Sequence, residues 1–190
     1  MKKILLALCM MGSVSAMSAD LTPIDSIDSL IQIGNAGYGG TGCPANTAVV
    51  LIQDNDLVIL MDKMLLQASR TASFARAACN VRIPIKVAEG YQLVVTGLET
   101  EGDYSSSVSD SLTLDQTVNF VGVAAKASRL KLRGSGQLLT RAQTIAVSKC
   151  GGDSMLAVSM VGLLRQSQSN LNSYLRLDNS HLKLELRRCN

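Results

Sequence analysis

Residues Gly37-Tyr38-Gly39-Gly40-Thr41-Gly42 match the dinucleotide pattern Gly-x-Gly-x-x-Gly letter for letter. That pattern works where a helix N-terminus follows and offers free N–H groups to a pyrophosphate. Here Cys43-Pro44 follows and the next run is β-like, so the segment reads as a glycine loop leading into a disulfide. Ser128-Arg129-Leu130-Lys131 fits Ser-x-x-Lys, a motif of penicillin-recognising enzymes, but the chain has no Lys-Thr-Gly to accompany it. Arg129, Lys131 and Arg133 alternate as on a strand, which puts Ser128 and Lys131 on opposite faces. His181 is the sole histidine and has no Gly-x-Ser-x-Gly elbow beside it. It reads as a surface histidine at a turn, at the start of the final strand.

Three weaker constellations remain as ligand candidates. Glu99, Glu101 and Asp103 form an acidic segment with Gly102 between the last two. Oxygen ligands in a loop can hold calcium, but the spacing is not that of an EF-hand, and a solvated loop accounts for the same residues. Asp54 and Asp56 suit a hairpin turn better than an acid/base pair, which needs a defined separation in space. Arg129, Lys131 and Arg133 line one strand face, with Arg187-Arg188 near the end. They suit either anionic envelope polymers and lipids or pairing with acids on a neighbouring strand. The chain has no Trp, 2 Phe and 4 Tyr, too few aromatic faces for a sugar-stacking platform. No residue is assigned a catalytic, cofactor-binding or metal role.

The N-terminus has the layout of a secretion signal. Lys2-Lys3 precede an apolar stretch from Ile4 to Met11, and Val14-Ser15-Ala16 supplies small residues for cleavage. Cleavage is expected after residue 16, with 19 as the alternative. Leu8 before Cys9 argues against a lipoprotein. No transmembrane anchor is expected, and the mature chain is expected in the periplasm or outside the cell. The full chain carries a formal charge of +3, and removing Lys2 and Lys3 leaves 3 − 2 = +1. That balance disfavours a nucleic-acid partner.

Cys43, Cys79, Cys150 and Cys189 remain behind the leader. An even count in an exported chain reads as a disulfide framework, and four cysteines allow three pairings. A zinc site is disfavoured because no two cysteines stand in Cys-x-x-Cys spacing.

The elements that must hold these groups are mostly short strands. Residues 17–34 form a lead-in with one short strand at Ile31–Ile33. Apolar runs at 47–53 and 57–66 flank a turn at Asp54-Asn55-Asp56. Residues 83–87 and 91–98 alternate with period two, and Pro84 suits an edge strand or a bulge. Residues 99–110 read as a loop or irregular edge. Further strands are expected from Leu112, at 118–125, 128–133, 138–147 and 155–164, and at the C-terminus from Leu182. Residues 61–78 fit either strands or a helix. The fold class expected is an all-β, mainly antiparallel sandwich, Greek-key or jelly-roll-like, with room for one short helix. It occupies residues 35–190 as a single domain.

The settings Gly42-Cys43-Pro44, Cys79-Asn80, Cys150-Gly151-Gly152 and the terminal Arg188-Cys189 are recognisable as a set. In that order the chain resembles the secreted domain of unknown function 4360 family over roughly residues 35–189. The resemblance implies a secreted, β-rich domain with no assigned activity. It also points to the pairing Cys43–Cys79 and Cys150–Cys189, each bracketing a compact block of strands. The function expected is therefore a non-catalytic binding or structural protein, its partner a cell-envelope polymer or an extracellular protein. The alternatives are a hydrolase built on Glu99, Glu101 and Asp103, with His181, and an anion-binding module using the Arg129–Arg133 stripe.

Overall fold

The computed structural model describes residues 27–68, 72–143, 146–167 and 173–189. The expected leader and the first part of the lead-in lie outside the described residues. A four-residue helix, α1 (Ile27–Leu30), precedes thirteen strands. The lead-in thus holds a short helix that its sequence did not announce, and the expected strand, β1 (Ile31–Ile33).

Two antiparallel sheets face each other. Sheet I has the order β1–β6–β12–β8–β9, from β6 (Phe74–Val87), β12 (Gly152–Arg165), β8 (Ser111–Phe120) and β9 (Lys126–Leu132). The short β2 (Gly37–Gly39) also pairs with β6. Sheet II has the order β10–β7–β13–β4–β3, from β10 (Gly134–Ala142), β7 (Tyr91–Ser106), β13 (Tyr174–Arg188), β4 (Asp56–Met61) and β3 (Ala48–Gln53). Within it β11 (Ala146–Val147) pairs with β7 and β5 (Leu65–Gln67) with β13.

Period-two alternation sets the layers. In β6, Ala77, Cys79, Val81, Ile83, Ile85 and Val87 are buried, while Arg76, Asn80, Arg82 and Lys86 are exposed. The inward rows of the two sheets meet in one core, with Ile83, Leu114 and Leu156 from sheet I and Leu57, Leu98 and Leu182 from sheet II. The core is not wholly apolar. Gln116 of β8 donates to Thr100 of β7 at 2.6 Å, and Thr100 shares a 2.8 Å hydrogen bond with Ser180 of β13. These buried groups join one sheet to the other and fix their relative register.

The cysteines pair as expected, Cys43 with Cys79 and Cys150 with Cys189. The Asp54–Asn55 turn is a two-residue hairpin with both residues at positive φ, as such turns require.

Several expectations needed correction. The 61–78 region is strand at both ends, with no helix among the described residues. Residues 99–106 are not a loop but the second half of β7, a central strand between β10 and β13. Their polar character misled because Glu99, Glu101 and Asp103 are the outward half of an alternating strand. Residues 121–125 are not strand; β8 ends at Phe120 and the chain turns there. Pro84 lies on no edge, since β6 has neighbours on both sides. Its carbonyl accepts from Gly34 N–H at 2.8 Å, in the gap between β1 and β2, so its missing donor falls where pairing is interrupted.

Candidate functional site

The two outer sheet faces carry most of the charged side chains, and they differ in how those charges are used. On sheet II, the rows run across the strands as Arg141–Glu99–His181 and Gln137–Asp103–Arg176. Opposite charges that sit side by side on neighbouring strands pair. Arg141 meets Glu99 at 3.2 Å and Arg176 meets Asp103 at 2.8 Å, while within β13 itself Arg187 meets Glu185, two residues away, at 2.8 Å. Lys183 donates to Asp56, and that hydrogen bond raises the lysine above its ordinary value. The hydrogen bond from Arg187 likewise holds the Glu185 carboxyl below the usual carboxylate range.

His181 is not at a turn. It stands in the middle of β13, opposite Glu99 on one side and Val58 on the other. Its Nδ1 lies 3.8 Å from Asp56. Glu99, Glu101, Asp56 and His181 do share a shallow cavity of about 360 Å³, together with Lys183. Asp103 lies outside it. Glu101 accepts from Asn179 at 3.0 Å, so each of these carboxylates already has a donor within the sheet. The arrangement is a cross-strand lattice of satisfied charges. Among the described residues, no group of three metal-ligating side chains could hold a metal ion.

Sheet I presents the opposite balance. Arg76, Arg82 and Lys86 point outward along β6, and Lys131 points outward from β9. Among the described residues, none of these four has a carboxylate within ion-pair distance. Arg165 at the end of β12 lies over the Phe74 ring, 5.9 Å from its centroid. The face holds two carboxylates, Asp115 and Asp153, on β8 and β12. Asp115 is taken by Arg129 in a bidentate pair of 2.6 and 2.8 Å, which raises the arginine further. Between the flanking cations the middle of the face is polar, with Ser159 donating to Asn80 at 2.7 Å and Thr117 and Asn119 alongside, while Ala157, Val161 and Leu163 of β12 add half-buried apolar side chains.

The three residues of the expected basic stripe do not share one strand face. Arg129 and Lys131 face outward on β9, but Arg129 is consumed by Asp115, and Arg133 lies past the strand end at the crossover to β10. The larger part of the basic face, Arg76, Arg82 and Lys86, escaped notice. Their even-numbered spacing opposite an apolar odd-numbered row was visible, but only the half from Ile83 onward read as strand.

The glycine motif holds no phosphate cradle. Its first three residues are β2, and no helix follows. Gly40 has φ 117, and an added Cβ there would lie 2.1 Å from the Ala78 carbonyl. The glycines let the loop press against β6 and bring Cys43 to Cys79.

These features define the class: an antiparallel β-sandwich with two disulfides and, among the described residues, one short helix, its charges unequally distributed between its faces. The chain belongs to the domain of unknown function (DUF4360) family, whose model matches residues 29–189. No curated protein matches. Solved structures are similar at low level, three of them as follows. TmCBM61 in complex with beta-1,4-galactotriose is 12% identical, with 81% of this chain and 88% of that chain covered, at a TM-score of 0.37. The enzymatically active domain of Bacteriophage CBA120 tailspike protein 4 is 8% identical, with 82% and 19% covered, at 0.23. PfGH50B is 12% identical, with 82% and 23% covered, at 0.23.

Proposed function

We propose that the protein is an exported, non-catalytic binding domain that holds an anionic polymer of the cell envelope or its surroundings on the outer face of sheet I. Export rests on the Lys2-Lys3 leader and on two disulfides, which persist in oxidising compartments. The carrying observation is that Arg76, Arg82 and Lys131 have no carboxylate beside them and Lys86 only the more distant Asp153, whereas the cations of sheet II named above are paired. Unpaired cations spread over one sheet create a positive potential that an extended chain of carboxylates or phosphates can neutralise. The hydroxyl and amide groups of the Asn80–Ser159–Thr117 row, between Arg82 and Arg76, suit a sugar backbone.

The test is titration of the mature, oxidised chain with polygalacturonate at low salt. Binding should weaken as salt rises. The triple variant R76E/R82E/K131E should bind roughly tenfold or more weakly. The paired-face variant R141E/R176E should bind as the parent does. No binding, or binding lost equally in both variants, would overturn the reading.

A further inference from the structure

A cavity of about 830 Å³ opens at one end of the outer face of sheet I. That lies within the ~300–1,000 Å³ range of small-molecule sites. Its floor is Pro84 of β6 and Met155 of β12, adjacent in register. One wall is Ile33-Gly34 at the end of β1, and the other is the turn Val121-Gly122-Val123 after β8. Both walls are tied to the floor by backbone: Gly34 N–H donates to Pro84 at 2.8 Å, and Val121 N–H donates to Met155 at 2.9 Å. The site is thus formed before any ligand arrives.

Two features of the walls call for a ligand. Val121 and Val123 are 62% and 47% exposed on a turn, where the sequence elsewhere places Asp, Asn, Ser and Gly. Gly122 at φ 90 makes that turn and leaves the valines flanking it. The rim carries Lys86 and Lys149, both exposed and neither within ion-pair distance of a carboxylate among the described residues. Asp153, Gln32 and Ser154 are the remaining polar side chains of the lining. Aliphatic walls with no exposed ring suit a flexible hydrocarbon chain. Two ammonium groups against the single carboxylate of Asp153, which stands opposite Lys86 in register, leave the mouth net positive and suit one anionic head.

We propose that this cavity binds a monomeric fatty acid, its chain against Pro84, Met155, Val121 and Val123 and its carboxylate between Lys86 and Lys149. The cavity crosses four strands, β1, β6, β12 and the end of β8, so its span is three strand spacings, about 14 Å. That is the length of a medium acyl chain. A bilayer is a poorer occupant because Arg82, Asn80 and Ser159 interrupt the adjoining face, separating the cavity from Val161 and Leu163, which are only half-buried and not raised for insertion. The ligand differs from that of the polymer-binding reading, and the two sites share Lys86; Val121, Val123 and Lys149 belong to the cavity alone, and Arg76, Arg82 and Lys131 to the open face alone.

The experiment titrates the mature, oxidised chain with sodium dodecanoate, below its micellar concentration, in a calorimeter. One saturable site is expected, with dodecyltrimethylammonium failing to bind. K86E/K149E should weaken dodecanoate roughly tenfold or more, and so should V121S/V123S. All four side chains are exposed, so thermal melting should stay near the parent's and separate lost binding from lost fold. R76E/R82E/K131E should leave dodecanoate affinity unchanged, while V121S/V123S should leave polygalacturonate binding unchanged. No saturable uptake up to about 1 mM, equal affinity for the cationic amphiphile, or indifference to both cavity variants would overturn the proposal. Co-sedimentation with phosphatidylglycerol vesicles that survives V121S/V123S would also overturn it, in favour of a membrane surface.

Discussion

The two outer faces of the sandwich are built alike and charged differently. Both are antiparallel, both alternate with period two, and both place arginine and lysine outward. On sheet II a carboxylate stands beside each of Arg141, Arg176, Lys183 and Arg187. On sheet I Asp115 is already used by Arg129, Asp153 stands opposite Lys86 but beyond ion-pair distance, and Arg76, Arg82 and Lys131 have no acid beside them in register. A modest net charge hides this separation. The formal charge is +3 for the full chain and +1 without Lys2 and Lys3, a small total that conceals one largely paired face and one basic face. Surface ion pairs contribute little to stability. The unpaired set on sheet I therefore has the stronger claim to function, because leaving cations exposed and repelling one another does nothing for the fold.

The sharpest way to probe this comparison is through the disulfides, since the two bridges serve the sheets differently. Cys43–Cys79 is wholly buried and pins the β2–β3 connection beneath β6, the strand that carries most of the basic face. Cys150–Cys189 is largely exposed and joins the approach to β12 with the end of β13, linking the two sheets. Their sequence separations, 36 and 39 residues, are nearly equal, so chain entropy assigns about 4 kcal/mol to each. The buried pair also fills core volume, which replacement would leave as a cavity. C43A/C79A should thus lose about 4 kcal/mol or more and exceed C150A/C189A, measured by urea unfolding. Anionic-polymer binding should fall further in C43A/C79A at temperatures where both variants are folded. If the exposed pair cost more, the link between sheets would outrank the anchoring of β6.

A smaller effect is expected at the turn that carries the chain from sheet II to sheet I. Asp110 follows β7, precedes β8 and is only 5% exposed. Its carboxylate accepts from Ser173 Oγ at 2.5 Å, and from Ser167 N–H and Oγ at 2.9 and 3.2 Å. Burial, the largest single influence, pushes its pKa up. The hydrogen bonds from Ser173, Ser167 and Ser107 together outweigh it and hold the group below the ordinary 3.8. A depressed folded-state value means the contribution is full above that ordinary value and disappears as pH falls through the folded one. D110A should cost about 1–3 kcal/mol near neutral pH, because the serine donors lose their acceptor. The gap between variant and parent should then narrow in strongly acid solution. A gap that stays constant with pH would mean that Asp110 acts by packing and not by charge.

Much of this fold was legible in the chain. The order of the cysteine settings carried the family and the pairing, and alternation at 83–87 and 91–98 carried two long strands. The failures share a cause. Strands whose outward positions are charged, such as Glu99–Glu101–Asp103 and the first half of β13, look like loops when polarity is read without their inward partners. Thr100 and Ser180 made this worse, because the inward residues there are themselves polar and joined to Gln116 across the core. The basic face was half hidden for a related reason. Arg76 lies among alanines, whose burial depends on the opposing sheet and not on their own hydrophobicity. The 830 Å³ cavity had no local signal at all, since its floor and walls come from residues 33, 84, 121 and 155.

The smallest expected effect belongs to the paired face and bears most directly on the contrast. The Arg141–Glu99 and Arg176–Asp103 pairs have arginine side chains 73% and 57% exposed, so solvent screens them heavily. Exposed pairs of this kind are worth roughly 0.2–1 kcal/mol. A double-mutant cycle on R141A and E99A should therefore return a coupling energy at or below about 0.5 kcal/mol, fading as salt rises. On sheet I the analogous cycle on R129A and D115A should be somewhat larger, because that pair is bidentate and planar. Removing Asp115 should do something that no deletion on sheet II does. It frees Arg129 to join the unpaired set, so D115A should strengthen polygalacturonate binding while slightly weakening the fold. E99A frees Arg141 in the same way but on the other face, and polymer binding should not respond. Equal gains in the two variants would show that net charge alone governs binding, and the distinction between the faces would collapse.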